Sequence, residues 1–199
     1  SSINQVMRLC YLNSQETESQ FVNLINSEDG DYSRYLFFYL NYIIKKNDLK
    51  TSVKIAQTIN ELESNLLVNQ SKSWIDSSNF GIFKKIFSCQ KEENILSEFF
   101  FLISNFLASE RKFNESNFYL NISIYLNPKF YFNLSHLVDN YYENENYEGI
   151  KDVLTKFNDK DEIFYWYKIK KLYQVILNEE SSEQALIFIE KKFKNILNP

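Results

Sequence analysis

The residues that could carry chemistry are few in this chain, and their spacing does not suit catalysis or metal binding. The only histidine is His136, and the positions one helical turn away hold Phe132 and Asn140, neither of which is a zinc-type ligand. Acidic residues gather in 143–148 and 159–162, where we predict turns and helix starts that favour carboxylates. We therefore expect no catalytic residue, no metal site and no cofactor, and we predict that the protein is not an enzyme.

The two cysteines, Cys10 and Cys89, lie far apart in the sequence and belong to no paired motif. Isolated thiols are most often small buried apolar residues, and a disulfide or a reactive thiol is the less common alternative. We interpret both cysteines as buried thiols.

Charge and glycine content bear on the class of partner. The chain carries 22 basic and 26 acidic side chains, a net charge of −4, and its lysines in 168–171 and 191–194 are too sparse for nucleic-acid binding. Its three glycines, at positions 30, 81 and 149, are too far apart to form a phosphate-binding loop. No apolar run reaches the roughly 18 residues of a membrane span. We expect a protein or peptide partner, no nucleic acid and no membrane span.

The composition favours long helices. Three glycines and two prolines in 199 residues are too few for the turns of an all-β fold, while 44% hydrophobic residues can form a large core. The apolar period predicts an all-α fold of about six antiparallel helix pairs: 3–13 with 15–27, 32–46 with 49–61, 64–76 with 79–90, 93–110 with 113–126, 130–144 with 147–158, and 161–178 with 181–197.

The breaks between these segments are short and polar, and several offer N-cap residues such as Ser181 or Ser182 before Glu183. No linker or low-complexity tract interrupts them. We expect 1–199 to form a single helical repeat domain that is part of a longer protein.

One stretch, 97–130, shows the internal order most clearly. Two apolar helical runs flank the polar break at 110–112, and Leu126-Asn127-Pro128 stops the second run. The same layout begins again at Tyr131, about 34 residues later, and a fixed period of this size is typical of a repeat solenoid.

In this unit, large apolar residues stand at fixed offsets from three small ones. The large residues are Phe100, Ile103, Leu107, Phe113 and Leu120; the small ones are Ser104, Ser116 and Ser123. The pattern resembles the tetratricopeptide repeat (TPR) family, in which small residues mark the closest approach of the helices. A second unit begins at Tyr131, and weaker units begin near Ser33, Ser64 and Ile163, so the resemblance covers nearly the whole chain and is strongest in 97–157. It implies an α-α superhelix, a TPR-like solenoid, and is closest in kind to bacterial TPR proteins of unassigned role.

The resemblance also implies a binding wall, because the first helix of each TPR pair lines the concave surface. Carried over by position, the wall residues are Phe37, Asn41, Lys45, Lys72, Phe101, Asn105, Phe132, Asp139, Tyr142, Tyr167 and Lys171, and the same wall includes Arg34, Glu98 and Gln174. Aromatic and amide side chains of this kind suit a peptide. The alternative is that Phe37, Phe101 and Phe132 are ordinary core residues in a shifted register.

The expected function is therefore a non-enzymatic interaction scaffold that binds a peptide or partner protein on its concave surface. The segment 181–197 is apolar almost all round, whereas a terminal repeat needs a polar outer face. The alternative is a self-associating assembly, with a homo-oligomer contact through this C-terminal helix, or an internal segment of a larger scaffold.

The chain begins without Met and shows no secretory signal. We expect a cytoplasmic protein or, where a leader has been removed, a periplasmic one.

Overall fold

The structure, a computed structural model, describes residues 2–158 and 161–197. Within these residues the chain forms twelve α-helices and no strand, which confirms the predicted all-α class and the number of helices. The helices are α1 (Ser2–Tyr11), α2 (Thr17–Ile25), α3 (Tyr35–Lys45), α4 (Leu49–Thr58), α5 (Leu66–Asp76), α6 (Gly81–Ile86), α7 (Glu92–Ser109), α8 (Phe113–Leu126), α9 (Tyr131–Glu143), α10 (Tyr147–Leu154), α11 (Glu162–Glu179) and α12 (Ser182–Leu197). No described helix has the length and hydropathy needed to cross a membrane.

Several helices are shorter than predicted, and α6 differs most. The segment 79–90 is helical only over α6, because Phe87 leaves the helix with extended backbone angles and packs its buried ring 4.7 Å from that of Phe38. The segment 147–158 is helical only to Leu154. In the predicted acidic turn 159–162, Asp159 lies outside the described residues, and Asp161 caps α11 by accepting a bond from the amide of Phe164.

A repeated turn follows the first helix of five consecutive pairs. A residue with positive φ stands two positions after α1, α3, α5, α7 and α9; these residues are Asn13, Asn47, Ser78, Arg111 and Glu145. In each turn this residue's amide bonds the carbonyl three positions back, and the next amide bonds the carbonyl five positions back. This is the Schellman geometry that satisfies the last carbonyls of a helix. These turns follow one another at intervals of 31 to 34 residues.

The α7–α8 pair is antiparallel and held closely by serines. The Ser97 and Ser123 hydroxyls each donate to the other's backbone carbonyl, at 2.8 and 2.6 Å, and the Ser116 hydroxyl donates to the Ser104 carbonyl at 2.9 Å. Because the residue numbers rise on one helix as they fall on the other, the helices run in opposite directions. The three serines predicted at the closest approach lie there and are buried.

The chain divides into two compact units, Ser1–Asn133 and Leu134–Pro199, with the division inside α9. In the first unit, α3 is buried on nearly every side, since it packs against α2, α4, α5 and α6. Rings from five positions form the centre of this core: Phe37, Phe38, Phe83, Phe87 and Phe130. A helix that is apolar all round belongs in a core. In the second unit, α11 packs against α10 and α12.

The interpretation of the cysteines as free thiols is wrong. Cys10, in α1, and Cys89, after α6, form a disulfide with their Cα atoms 5.6 Å apart, a normal spacing for this bond. Both are buried, as expected, but their wide separation along the chain gave no sign of the pairing. The Gln90 side chain reinforces the link by donating to the Cys10 carbonyl at 2.9 Å.

Candidate functional site

The wall residues expected on α3 belong to the core of the first unit. Phe37 has no exposed surface and stacks between Phe83 and Phe130, with ring centroids 5.8 and 5.3 Å away. The Asn41 amide donates to the carbonyls of Phe83 and Phe87 at 2.9 and 3.1 Å. It thereby satisfies carbonyls at the C-terminal end of α6. Both residues stabilise the fold and are covered by the chain itself.

Phe101 and Phe132 enclose a buried arginine. The guanidinium of Arg34 lies 3.6 Å from the centroid of the Phe101 ring and 4.7 Å from that of Phe132. All three residues are buried. Of the two interpretations of these phenylalanines, the structure shows the core one, in which they pack around a cation.

Arg34 is held by a network from three helices. Its Nε and Nη2 donate to the two carboxylate oxygens of Glu98 at 2.9 and 2.6 Å, and Nη2 also donates to Asn133 Oδ1 at 3.2 Å. The Tyr35 hydroxyl donates to the same carboxylate at 3.2 Å, and burial, with the Glu98 charge, raises the pKa of Tyr35. Arg34 and Glu98 were both predicted for the wall. The structure brings them together as a buried ion pair between the start of α3 and α7.

Three other wall residues of the first unit lie near solvent. Lys45 and Asn105 are exposed at the end of α3 and in α7. Lys72 is half-buried and pairs with Asp76 and Glu61 at 2.5 and 3.2 Å; hydrogen bonds to these carboxylates raise its pKa. In the described part of the chain, no hydrogen bond or ion pair joins Lys72 to Lys45 or Asn105, so these three residues do not form one site.

Four wall residues of the second unit do converge. Lys171 Nζ lies 2.7 Å from Asp139 Oδ1, and the Tyr167 hydroxyl donates to the same oxygen at 3.1 Å. The ammonium of Lys171 also lies 5.1 Å from the centroid of the Tyr142 ring and 5.7 Å from that of Tyr167. We call these four residues the α9–α11 cluster.

The register of α9 against α11 explains why they meet. The Tyr167 hydroxyl donates to the Ser135 carbonyl at 2.9 Å, and Asp139 faces Lys171, so both contacts join positions with the same separation along the chain. A constant separation means that the two helices run parallel, as equivalent helices of successive repeats would. The structure thus brings side by side residues that the sequence analysis assigned to equivalent positions.

The α9–α11 cluster keeps polar groups at a partly open surface. The Asp139 side chain is 47% exposed, whereas that of Lys171 is 14% exposed and packs against the tyrosines. Burial, followed by the Asp139 charge, raises the pKa of Tyr167, which stays a neutral donor. Beside the cluster, Gln174 Oε1 is buried and has no hydrogen-bond partner among the described residues. The surface offers a carboxylate, an ammonium and aromatic faces within one helix pair.

A cleft in the first unit was not predicted. Apolar side chains of α1 and α7 line a space of about 390 Å³, with Ile3, Met7 and Tyr11 on one side and Ile95, Phe99 and Leu102 on the other. The apolar face of α1 is visible in the sequence, but its partner helix is remote along the chain. The disulfide holds α1 near this region, and without knowledge of that bond the sequence did not indicate which helix lies beside α1.

Neither metal chemistry nor a known relative adds to this description. Over residues 2–158 and 161–197, no group of histidine, cysteine and acidic side chains could hold a metal ion. His136 lies half-buried on α9. Comparison with protein-family models, with curated proteins and with solved structures finds no match to this chain.

Proposed function

We propose that this protein is a non-enzymatic helical-repeat scaffold of the TPR type that binds a peptide or partner protein, with the α9–α11 cluster as its contact surface. The observation that carries the proposal is the convergence of Asp139, Tyr142, Tyr167 and Lys171 from two parallel helices. The five regularly spaced Schellman turns support the repeat character of the chain.

The chemistry of the cluster suits a peptide backbone better than a strongly charged ligand. Lys171 and Asp139 neutralise each other, so the surface carries no net charge to select a charged group. The exposed Asp139 carboxylate can accept from a backbone amide, and the half-buried Tyr142 ring offers contact area that costs little conformational entropy. A peptide presents alternating donors and acceptors to such a surface.

Photo-crosslinking tests this proposal. Benzoylphenylalanine is placed at Tyr142 and, as a matched control, at Tyr125, which is 84% exposed on α8 of the other unit. We expect one partner to be crosslinked from Tyr142 and not from Tyr125. Binding of that partner should fall at least tenfold in Asp139→Asn/Lys171→Gln, while Lys45→Gln leaves it unchanged. Equal crosslinking from both positions, or unchanged binding by the double variant, contradicts the proposed surface.

Self-association is the second candidate, and a specific observation favours it. On α12, Leu186, Ile187 and Phe193 are each more than half exposed, although Phe193 also packs 5.0 Å from Trp166. Exposed apolar side chains gathered on one helix are typical of interfaces. We expect light scattering to show concentration-dependent association that Ile187→Glu weakens. A monomer at every concentration contradicts this second candidate.

A further inference from the structure

The α1–α7 cleft has the dimensions and lining of a small-molecule site. Its volume of about 390 Å³ falls within the range of about 300–1,000 Å³ typical of such sites. Its apolar lining includes the flexible thioether of Met7, the aromatic ring of Phe99 and the branched side chain of Leu102. Phe99 is 44% exposed, so the cleft opens to solvent along one side. A ligand here would contact apolar walls and keep one edge in water.

The α1 wall is fixed by bonds at its C-terminal end. The disulfide from Cys10 and the Gln90 bond to the Cys10 carbonyl hold the helix end in place. The Tyr11 hydroxyl adds a hydrogen bond of 2.8 Å to Glu92, at the start of α7. The cleft is therefore preformed, which reduces the ordering cost that a ligand would otherwise meet.

The length of the cleft suits an unbranched chain. On α1 the lining runs from Ile3 to Tyr11, about 12 Å of helix at roughly 1.5 Å per residue. An extended alkyl chain advances about 1.3 Å per carbon, given C–C bonds of about 1.5 Å. By the same bond lengths, a tail of about eight to ten carbons spans the lining.

One cation at the rim is available to a ligand. Arg8 lines the cleft and is exposed, and no hydrogen bond or ion pair joins its guanidinium to any of the described residues. Glu98 also contributes to the lining, but it is 2% exposed and its carboxylate is neutralised by Arg34. A guanidinium recognises a carboxylate by two parallel hydrogen bonds. The cleft thus combines apolar walls with a positive group at its rim.

We propose that the α1–α7 cleft binds a free medium-chain fatty acid, with the alkyl tail along Met7, Phe99 and Leu102 and the carboxylate at Arg8. This site lies in the first unit and shares no residue with the α9–α11 cluster. Failure of the fatty-acid site therefore leaves the proposed scaffold function untouched, and the reverse also holds.

The single methionine allows ligand binding in the cleft to be measured directly. Met7 is the only methionine in the sequence, so a ¹³C-methyl methionine label reports on the cleft with one signal. Titration of the oxidised protein with decanoate should shift this signal saturably. Octanoate and hexanoate should bind progressively more weakly, by about two- to fourfold per methylene removed. Decyltrimethylammonium, with the same tail and the opposite charge, should bind at least tenfold more weakly than decanoate.

Two variants separate the roles of charge and cavity. Arg8→Gln should lower the affinity for decanoate about tenfold and remove the preference over the ammonium compound. The matched control Arg111→Gln, which changes an exposed arginine in the α7–α8 turn, should leave the affinity unchanged. Leu102→Trp should fill the cleft and abolish the shift, and Leu102→Phe serves if the tryptophan variant does not fold.

Four results overturn the proposal, and the first three concern decanoate and its charge. They are a Met7 signal that decanoate does not shift, equal binding of both charge types, and an affinity within twofold of wild type in Arg8→Gln. A signal that shifts only with an amphipathic helical peptide also overturns it and assigns the cleft to a protein partner.

Discussion

Individual side chains predicted for the same binding wall lie in opposite environments in this protein. In the first unit, Phe101 and Phe132 enclose Arg34 in the core. In the second, Asp139 and Lys171 pair at a partly open surface. The difference follows from how many elements surround each helix, since α3 is covered on nearly every side.

We expect substitutions of Arg34 and Glu98, which form a buried ion pair, to have strongly coupled effects on the free energy of unfolding. Arg34→Met leaves the Glu98 carboxylate buried without its cation, and should lower the free energy of unfolding by about 3–5 kcal/mol. Arg34→Met/Glu98→Met removes both charges and should recover much of that loss. Urea unfolding of the two single variants and the double variant measures the coupling. If the double variant loses the sum of the single effects, the pair is not coupled.

Buried tyrosines make the protein sensitive to alkali. Burial, with the Glu18 charge, raises the pKa of Tyr39 to about 12, and burial also raises those of Tyr35 and Tyr167. The folded state disfavours ionisation of these hydroxyl groups. Their contribution to the free energy of unfolding is therefore fully present below about pH 10, the pKa of an unfolded tyrosine. It is lost as the pH rises towards the pKa values of the folded state. We expect the thermal midpoint to fall above about pH 10. Tyr39→Phe should reduce this slope, whereas Tyr125→Phe, at an exposed site, should not.

Among the helices and their connections, the turns that end five helices and the disulfide that links α1 to the segment after α6 are the main ordering features. Five Schellman turns end α1, α3, α5, α7 and α9, although none has glycine at the left-handed position. A residue other than glycine or asparagine there costs about 1–2 kcal/mol, a cost that applies to Ser78, Arg111 and Glu145. The same turn geometry therefore recurs without glycine.

Loss of the disulfide should destabilise the first unit. Cross-linking two positions with a sequence separation of 79 restricts the unfolded chain, and Cys10→Ser/Cys89→Ser should cost about 4 kcal/mol. Thermal unfolding measures this, and a reductant should lower the midpoint of the wild type but not of the variant. Two free thiols in the denatured, unreduced protein would disprove the bond.

The disulfide also bears on localisation. Disulfides persist mainly in oxidising compartments, so the Cys10–Cys89 bond is expected to be stable in such a compartment.

For the molecule as a whole, the two compact units differ in size and in cross-linking. The first, Ser1–Asn133, is the longer and contains the disulfide, whereas the second covers only Leu134–Pro199. A smaller unit buries a smaller fraction of its surface and is less stable on that ground.

The two tryptophans can test this difference, because Trp74 lies in the first unit and Trp166 in the second. In Trp74→Phe the fluorescence reports on the second unit, and in Trp166→Phe on the first. We expect the second unit to unfold at lower urea. Coincident transitions would instead indicate one cooperative repeat array, as the sequence predicted for 1–199.

Local sequence was sufficient to predict the helices and their spacing, because apolar period, polar breaks and caps act within a few residues. It also placed Ser104, Ser116 and Ser123 at a close helix contact, and assigned Asp139 and Lys171, which the structure brings together, to the same predicted wall. Only the folded structure shows which helix faces are covered by other parts of the chain. Phe37 and Asn41 lie in the core, Cys10 pairs with Cys89, and α1 meets α7 to form a cleft. Those outcomes depend on contacts between residues remote along the chain, about which local periodicity carries no information.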